Sequence, residues 1–401
     1  MRRNQPAGTE LQLMSCIYAD SGLFIGVTGD IGHCCLQNTN AMNIPWNFDE
    51  YPDLNSWKVD QPKLNKIQNS IDLGEQPSVC STCWKYENAN MNSHRTRGRR
   101  LLDGNRGIEF VDIRLGNRCN LQCKMCDAHH SDQIGKLAHQ LHDSGIPNHP
   151  YLSMPDADDT WSPAQVSQVL NLVSALPDLR EIMLAGGEPL IMPEVETLLQ
   201  DLIDKNKTDV VISVITNCTS APRSMIEKLK KFKCIYINAS IDATGQYLEF
   251  QRAPAKWDAI KRTFDRFQSA GFNMEISPSI SMLVLEDIPN LLDFGLSRNT
   301  IVSFNEVDYP SYLRYQYVPL ENREHIRDYL KTYRPTADVN SNSNWQVFAQ
   351  QGLTEYTEPS QQDCDLLAHY ARDVWTRGQP FLELYPWAQY MIDRANDYKP
   401  Y

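Results

Sequence analysis

Three cysteines fall within eight residues, in Arg118-Cys119-Asn120-Leu121-Gln122-Cys123-Lys124-Met125-Cys126, at a spacing of C-x3-C-x2-C. Thiolates gathered in one short loop are soft-metal ligands. An iron–sulfur cubane usually takes four cysteines, so three from a single loop would leave one iron open to a ligand that is not protein. A zinc knuckle with a distant fourth ligand, or three packed core cysteines, are the plainer readings. A second group lies near the start of the chain. Cys16, Gly29 and Cys34 are spaced C-x12-G-x4-C, and after a gap come Cys80-Ser81-Thr82-Cys83. Four such thiols suit either a [4Fe–4S] cluster or structural zinc. Cys35 competes with Cys34 as the ligand, and the spacing selects Cys34. The chain has 11 cysteines in all, an odd number mostly held in these groups, which argues for metal rather than a disulfide framework.

The elements that must position these residues follow from hydrophobic periodicity. Residues 1–93 are loop-rich with short strand-like pieces. A basic connector at 94–107 contains Arg95, Arg97, Arg99, Arg100 and Arg106. From 108 to 318 the pattern alternates. Strands are predicted at 109–115, 181–185, 210–216, 235–241, 274–281 and 301–307. Helices are predicted at 132–142, 194–204, 223–231, 257–270 and 288–296, with an additional one at 163–175. Pro163 and Pro222 stand where helix starts tolerate proline. Six such units predict an α/β fold with a parallel sheet, either curled into a partial barrel or doubly wound. In both, ligands bind beyond the C-terminal ends of the strands, where the first cysteine loop falls. Residues 319–401 carry no strand signal and are expected to form a helical cap, with Phe381, Tyr385, Trp387 and Tyr390 packing it onto the barrel.

The cysteine loop resembles the signature of the radical S-adenosylmethionine (SAM) superfamily, with Met125 where an aromatic usually precedes the third cysteine. Further matches stand at successive strand ends: Gly186-Gly187-Glu188, then Asn217, then Ser240-Ile241-Asp242 with Arg252 ten residues on. The resemblance covers about residues 108–310. It implies a partial (β/α)6 TIM-like barrel, a [4Fe–4S] cluster on Cys119, Cys123 and Cys126, and SAM chelating the open iron. It places Gly186, Gly187 and Glu188 on the SAM amino group, Asn217 nearby, and Ser240, Asp242 and Arg252 on the ribose and carboxylate. It implies reductive cleavage of SAM to a 5′-deoxyadenosyl radical that abstracts hydrogen from substrate. An electron donor such as flavodoxin or ferredoxin would be the partner. Cys218 stands where relatives often have glycine and is a candidate hydrogen-atom donor.

The first cysteine group is similar to the SPASM/twitch auxiliary-cluster extension, which implies a second [4Fe–4S] cluster on Cys16, Cys34, Cys80 and Cys83, shielded by Trp84. Two departures are plain. The extension precedes the barrel instead of following it, and Ala89 stands where a full SPASM domain would continue its cysteine series. Many such relatives modify peptide or protein side chains, and others are dehydrogenases or cyclases of sugars, aminocyclitols or nucleotides. The first is the expected activity, the second its alternative, and a non-catalytic iron–sulfur or zinc protein a third reading. No leader-binding domain is expected ahead of the cysteines. Tyr309 and Tyr312 are candidates to line the substrate cavity.

Composition narrows the remaining classes. The 401 residues are 41% hydrophobic and 22% charged, enough for sizeable cores. No apolar run approaches the ~18 residues of a membrane span, and no secretory signal is evident, so the cytoplasm is expected. The net charge of −12 makes general nucleic-acid binding unfavourable.

Overall fold

The computed structural model describes residues 15–27, 29–37, 44, 47–88, 93–98, 107–143, 162–334, 348, 353–371 and 381–395. Ala89, Arg99, Arg100 and Arg106 lie outside the described residues.

In chain order the elements begin α1 (Ile17–Ser21), β1 (Gly22–Ile25), β2 (Ile31–Gly32), α2 (Leu54–Val59), α3 (Pro62–Asp72), α4 (Ser81–Asn88) and α5 (His94–Gly98). The alternating stretch follows: β3 (Phe110–Arg114), α6 (Asp132–Asp143), α7 (Pro163–Ala175), β4 (Glu181–Ala185), α8 (Pro193–Asp204), β5 (Val211–Thr216), α9 (Arg223–Leu229) and β6 (Ile235–Ala239). It continues through α10 (Gly245–Gln251), α11 (Trp257–Ser269), β7 (Asn273–Ile276), β8 (Ser279–Ile280), α12 (Ile288–Ser297), β9 (Ile301–Val302) and β10 (Asn305–Glu306). Helices α13 (Glu324–Thr332), α14 (Gln361–His369), α15 (Phe381–Leu384) and α16 (Gln389–Arg394) complete the described elements.

The strand order is β2-β1-β3-β4-β5-β6-β7-β9, with β8 and β10 forming a separate pair. Strands β2 and β1 stand on the other side of β3, β2 antiparallel, and from β3 onward the strands follow chain order as in a (β/α) barrel. A near-continuous apolar strand such as Ile182–Leu184 is what a parallel sheet covered on both faces requires.

Contacts divide the chain into two units. One comprises Met1–Arg118, Pro155–Val214 and Pro222–Ile235. In it β1 pairs parallel with β3, Gly22 opposite Phe110 and Ile25 opposite Ile113, and β2 closes the edge antiparallel to β1. Strand β4 pairs parallel with β3 and β5. Residues 22–25 and 31–32 therefore share the sheet with β3, and His94–Gly98 forms helix α5. Helix α7 begins with a capping box: Ser162 accepts from the Gln165 amide while the Gln165 side chain returns to the Ser162 N–H.

The other unit comprises Cys119–Met154, Ile215–Ala221 and Tyr236–Tyr401. Here β6 pairs parallel with β7, and β7 with β9. The expected strands at 274–281 and 301–307 are each divided in two. Pro278, which has no N–H for a ladder, sits at the first break, and beyond the breaks β8 and β10 pair with each other. Phe381 and Tyr385 lie against Phe250 of α10, with ring centroids 6.2 and 5.5 Å away. Helix α14 spans Gln361–His369. Tyr312 is buried and stacks on Tyr370 at 5.2 Å, whereas Tyr309 is exposed. Among the described residues no helix is long and apolar enough to cross a membrane.

Candidate functional site

The loop after β3 carries Cys119, Cys123 and Cys126, and its backbone is fixed from two sides. The Cys119 N–H donates to Asp132 Oδ1 at 2.8 Å, at the start of α6, and Ser131 Oγ donates to the Leu121 carbonyl at 2.7 Å. On the other side the N–H groups of Gln122 and Lys124 donate to the carbonyls of Ala253 and Gln251, at 2.6 and 2.8 Å. The loop is thus clamped between the start of one helix and the segment after another. Burial pushes the Cys123 thiol up to about 12; the Arg252 charge opposes that shift and Cys119 adds to it. Burial also holds Cys126 well above the usual thiol range, with Cys123 the next cause. Cys123 and Cys126 resist ionisation partly because the neighbouring thiols are close.

Among the described residues, no three or more His, Cys, Asp or Glu side chains converge on a single-ion position. A cubane takes its cysteines one per iron, so its ligands need not converge on one point. Three neighbouring thiols, Cys123 buried and Cys119 and Cys126 half-buried, fit that group, since bound metal supplies the positive charge that lets them ionise.

Two side-chain N–H donors face the sulfurs. Asn217 Nδ2 lies 4.0 Å from Cys119 Sγ and 2.9 Å from Asn120 Oδ1. Arg252 Nη1 lies 3.9 Å from Cys123 Sγ. Asp242 is fully buried and grips Arg252 as a fork, Nε to Oδ2 at 2.6 Å and Nη2 to Oδ1 at 2.8 Å. Its oxygens also accept from Gln251 Nε2 at 2.5 Å and from the Ser279 N–H at 2.8 Å. The carboxylate is thus engaged by groups of its own chain. The Ser240 N–H donates to the Thr216 carbonyl at 2.8 Å.

In the first unit, Gly186, Gly187 and Glu188 close the end of β4. Gly186 has φ +116°, and a Cβ on Gly187 would stand 2.2 Å from the Arg118 carbonyl oxygen. The N–H groups of Gly187 and Glu188 donate to the Gly116 and Arg118 carbonyls at 3.0 and 2.8 Å. The glycines therefore permit backbone to meet backbone just ahead of Cys119 in the chain. Glu188 is fully buried, and its Oε1 accepts from the Leu190 N–H at 3.1 Å.

Cys218 has φ +57°, so the turn takes the left-handed form that glycine favours, and its thiol is completely buried. Non-glycine residues pay about 1–2 kcal/mol there. Cys218→Gly is expected to change stability by less than about 1 kcal/mol, relief of strain offsetting lost packing. Cys218→Val, with a branched Cβ, should lose about 2 kcal/mol or more. Urea midpoints of the two variants check this.

A cavity of about 410 Å³, counted with its open mouth, lies in the first unit and is lined by Cys16, Cys34, Cys80 and Cys83 together with Trp84, His33 and Arg95. Cys35, next in the chain, lies instead beside Asp112 and Arg114. Burial raises Cys16 to about 11, with Cys80 and Cys83 adding to the shift. His33 Nε2 meets the Leu64 carbonyl at 3.0 Å. A carbonyl only accepts, so that nitrogen carries the proton, and Nδ1 is left buried with no partner. Arg95 sits over the Trp84 ring at 4.9 Å and pairs with Glu87. The sequence placed Arg95 in a basic connector and did not single out His33. Adjacency to Cys34 was the available signal for His33; nothing local marked Arg95.

Residues 113–294, a little under half of the chain, match the Radical SAM superfamily. The chain contains a radical SAM domain. The cysteine loop, Gly186–Glu188, Asn217, Ser240, Asp242 and Arg252 all fall within it. Among curated proteins, this chain is 23% identical over 194 residues to the probable GTP 3′,8-cyclase of Methanocaldococcus jannaschii, covering 47% of this chain and 55% of that protein. It is 25% identical over 224 residues to the GTP 3′,8-cyclase of Syntrophomonas wolfei, covering 54% and 57%. The chain thus spans just over half the length of the curated relatives it matches. Among solved structures it is similar to Streptococcus suis SuiB, at 15% identity, 80% of this chain, 63% of that chain and a TM-score of 0.39. It is also similar to anSMEcpe with bound AdoMet, at 12% identity, 65% of each chain and a TM-score of 0.38.

Proposed function

We propose that the protein is a radical SAM enzyme, with one [4Fe–4S] cluster on Cys119, Cys123 and Cys126 and a second on Cys16, Cys34, Cys80 and Cys83. The observation that carries the first part is the placement of three neighbouring thiols in one clamped loop directly after β3, inside the matched domain. When bound, the cluster and SAM supply reductive sulfonium cleavage and hydrogen-atom abstraction, the hard chemistry that a cofactor carries. The chain's own residues hold and orient. The 251–253 segment and Asp132 fix the loop backbone, the Asp242–Arg252 pair locks one side of it, and Asn217 holds the other. The second cluster is supported by the four cysteines lining one cavity. Four protein thiols leave no open iron, which supports electron handling over substrate ligation. The SPASM/twitch-like spacing of these cysteines supports an oxidoreductase or maturase that modifies a peptide or protein side chain. A low-potential donor of the flavodoxin or ferredoxin class, and a cytoplasmic setting, belong to the same reading.

A second substrate reading, a nucleotide cyclase, is supported by the names of the curated relatives. The experiment incubates reduced, iron-loaded protein with SAM and either deuterated GTP or deuterated short peptides, and measures 5′-deoxyadenosine and its deuterium. Formation of 5′-deoxyadenosine is expected, with label arriving from peptide. Label from GTP alone would replace the first substrate reading by the second. No 5′-deoxyadenosine from fully loaded protein would leave a non-catalytic metal-binding protein.

A further inference from the structure

We infer that Asn217 and Arg252 donate hydrogen bonds to two of the three cysteine sulfurs that would ligate the cluster and so raise its reduction potential. The inference rests on the reading of Cys119, Cys123 and Cys126 as cluster ligands. By resemblance both residues would serve SAM. The geometry points their N–H groups at Cys119 Sγ and Cys123 Sγ.

Neither donor is free to choose its direction. Asn217 Oδ1 accepts from the Thr219 N–H at 2.9 Å and from Thr219 Oγ1 at 2.6 Å. A backbone N–H can only donate, so the amide cannot be flipped, and Nδ2 must face Asn120 and Cys119. Arg252 has Nε and Nη2 committed to Asp242, which leaves Nη1 toward Cys123. The guanidinium cannot lose its proton at any working pH. Asp242 is in turn held by Gln251 Nε2 and the Ser279 N–H, which fix the carboxylate that the fork grips. Asp242 balances the charge, yet the cationic end of the pair is the end at the sulfur.

Reduction adds one negative charge to a cluster, much of it felt at its sulfurs. Donors already aimed there stabilise the reduced form more than the oxidised form, and hydrogen bonds to sulfur are an established control of cluster potential. Removing them makes the cluster harder to reduce.

The test is a dithionite titration followed by electron paramagnetic resonance, reading the midpoint of the signal that added SAM perturbs. Wild type is compared with Asn217→Ala, Arg252→Lys and the charge-neutral double variant Asp242→Asn/Arg252→Gln. With iron content unchanged, Asn217→Ala and the double variant should each become about tenfold harder to reduce, a midpoint lower by about 59 mV for one electron. Arg252→Lys, which keeps charge but loses the fork, should fall less. Unchanged midpoints in iron-loaded variants would overturn the inference. If the double variant fails to fold, Asn217→Ala decides alone: a lowered midpoint supports the inference and an unmoved one overturns it. The cluster assignment fails by a separate result, namely a Cys119/Cys123/Cys126→Ala variant that keeps all its iron.

Discussion

Replacing Cys119, Cys123 and Cys126 together by alanine should remove about four irons per chain from anaerobically prepared protein and reduce SAM cleavage to background. The argument is one of ligand number. On the proposed reading Cys119, Cys123 and Cys126 are the cluster's protein ligands, and the open iron that would chelate SAM exists only while those three hold the rest. The wild type should carry about eight irons and the triple variant about four, the remainder resting on Cys16, Cys34, Cys80 and Cys83. The complementary variant, Cys80→Ala/Cys83→Ala, should lose the other four and retain the SAM-perturbed signal. Iron, sulfide and zinc per chain read all of this directly. A triple variant holding one zinc and no iron would make the N-terminal cavity a structural zinc site, and chemistry needing a single cluster would follow. The two sites are separable in this way because each set of thiols lies within one unit of the fold.

Asp242→Ala should cost about 3–5 kcal/mol of stability, the range found when one partner of a buried ion pair is removed. The carboxylate is fully buried and receives the Arg252 fork, Gln251 and the Ser279 N–H. Without it the guanidinium stays charged in a site closed to water, and two further donors lose their acceptor. The damage should reach the cysteine loop, because residues 251 and 253 supply the carbonyls that Lys124 and Gln122 bond. Chemical denaturation of the cluster-free protein measures the loss. The double variant Asp242→Asn/Arg252→Gln should recover a substantial part of it, because no charge is then left unpaired. Equal losses for the single and double variants would show that packing, not the ion pair, dominates there.

Much of the arrangement was legible from the chain alone, and the reason is locality. Helices such as α8, α11 and α12 repeat their apolar residues over a few turns, with proline at or near several starts, so periodicity placed them within a residue or two. The cysteine loop was legible because all three thiols sit within eight residues. Even the turn at Cys218 was marked, since a position that relatives fill with glycine did take a left-handed φ.

What tertiary structure decided joins residues far apart in the chain. Cys123 and Arg252 are separated by 129 positions, and no period or spacing brings a guanidinium to that sulfur. The same holds for β1, whose four residues join the sheet beside β3 only because a parallel edge was available. Strands that read as single apolar runs at 274–281 and 301–307 were divided between two sheets, because backbone hydrogen bonding chooses a partner that hydrophobic pattern cannot name. Cys34 and Cys35 are chemically identical and adjacent, and folding alone turned one toward the four-cysteine cavity and the other toward Asp112. Local sequence determined which residues could bind metal. The long-range packing determined which groups surround them, and so the charge and hydrogen bonding that any bound cluster would feel.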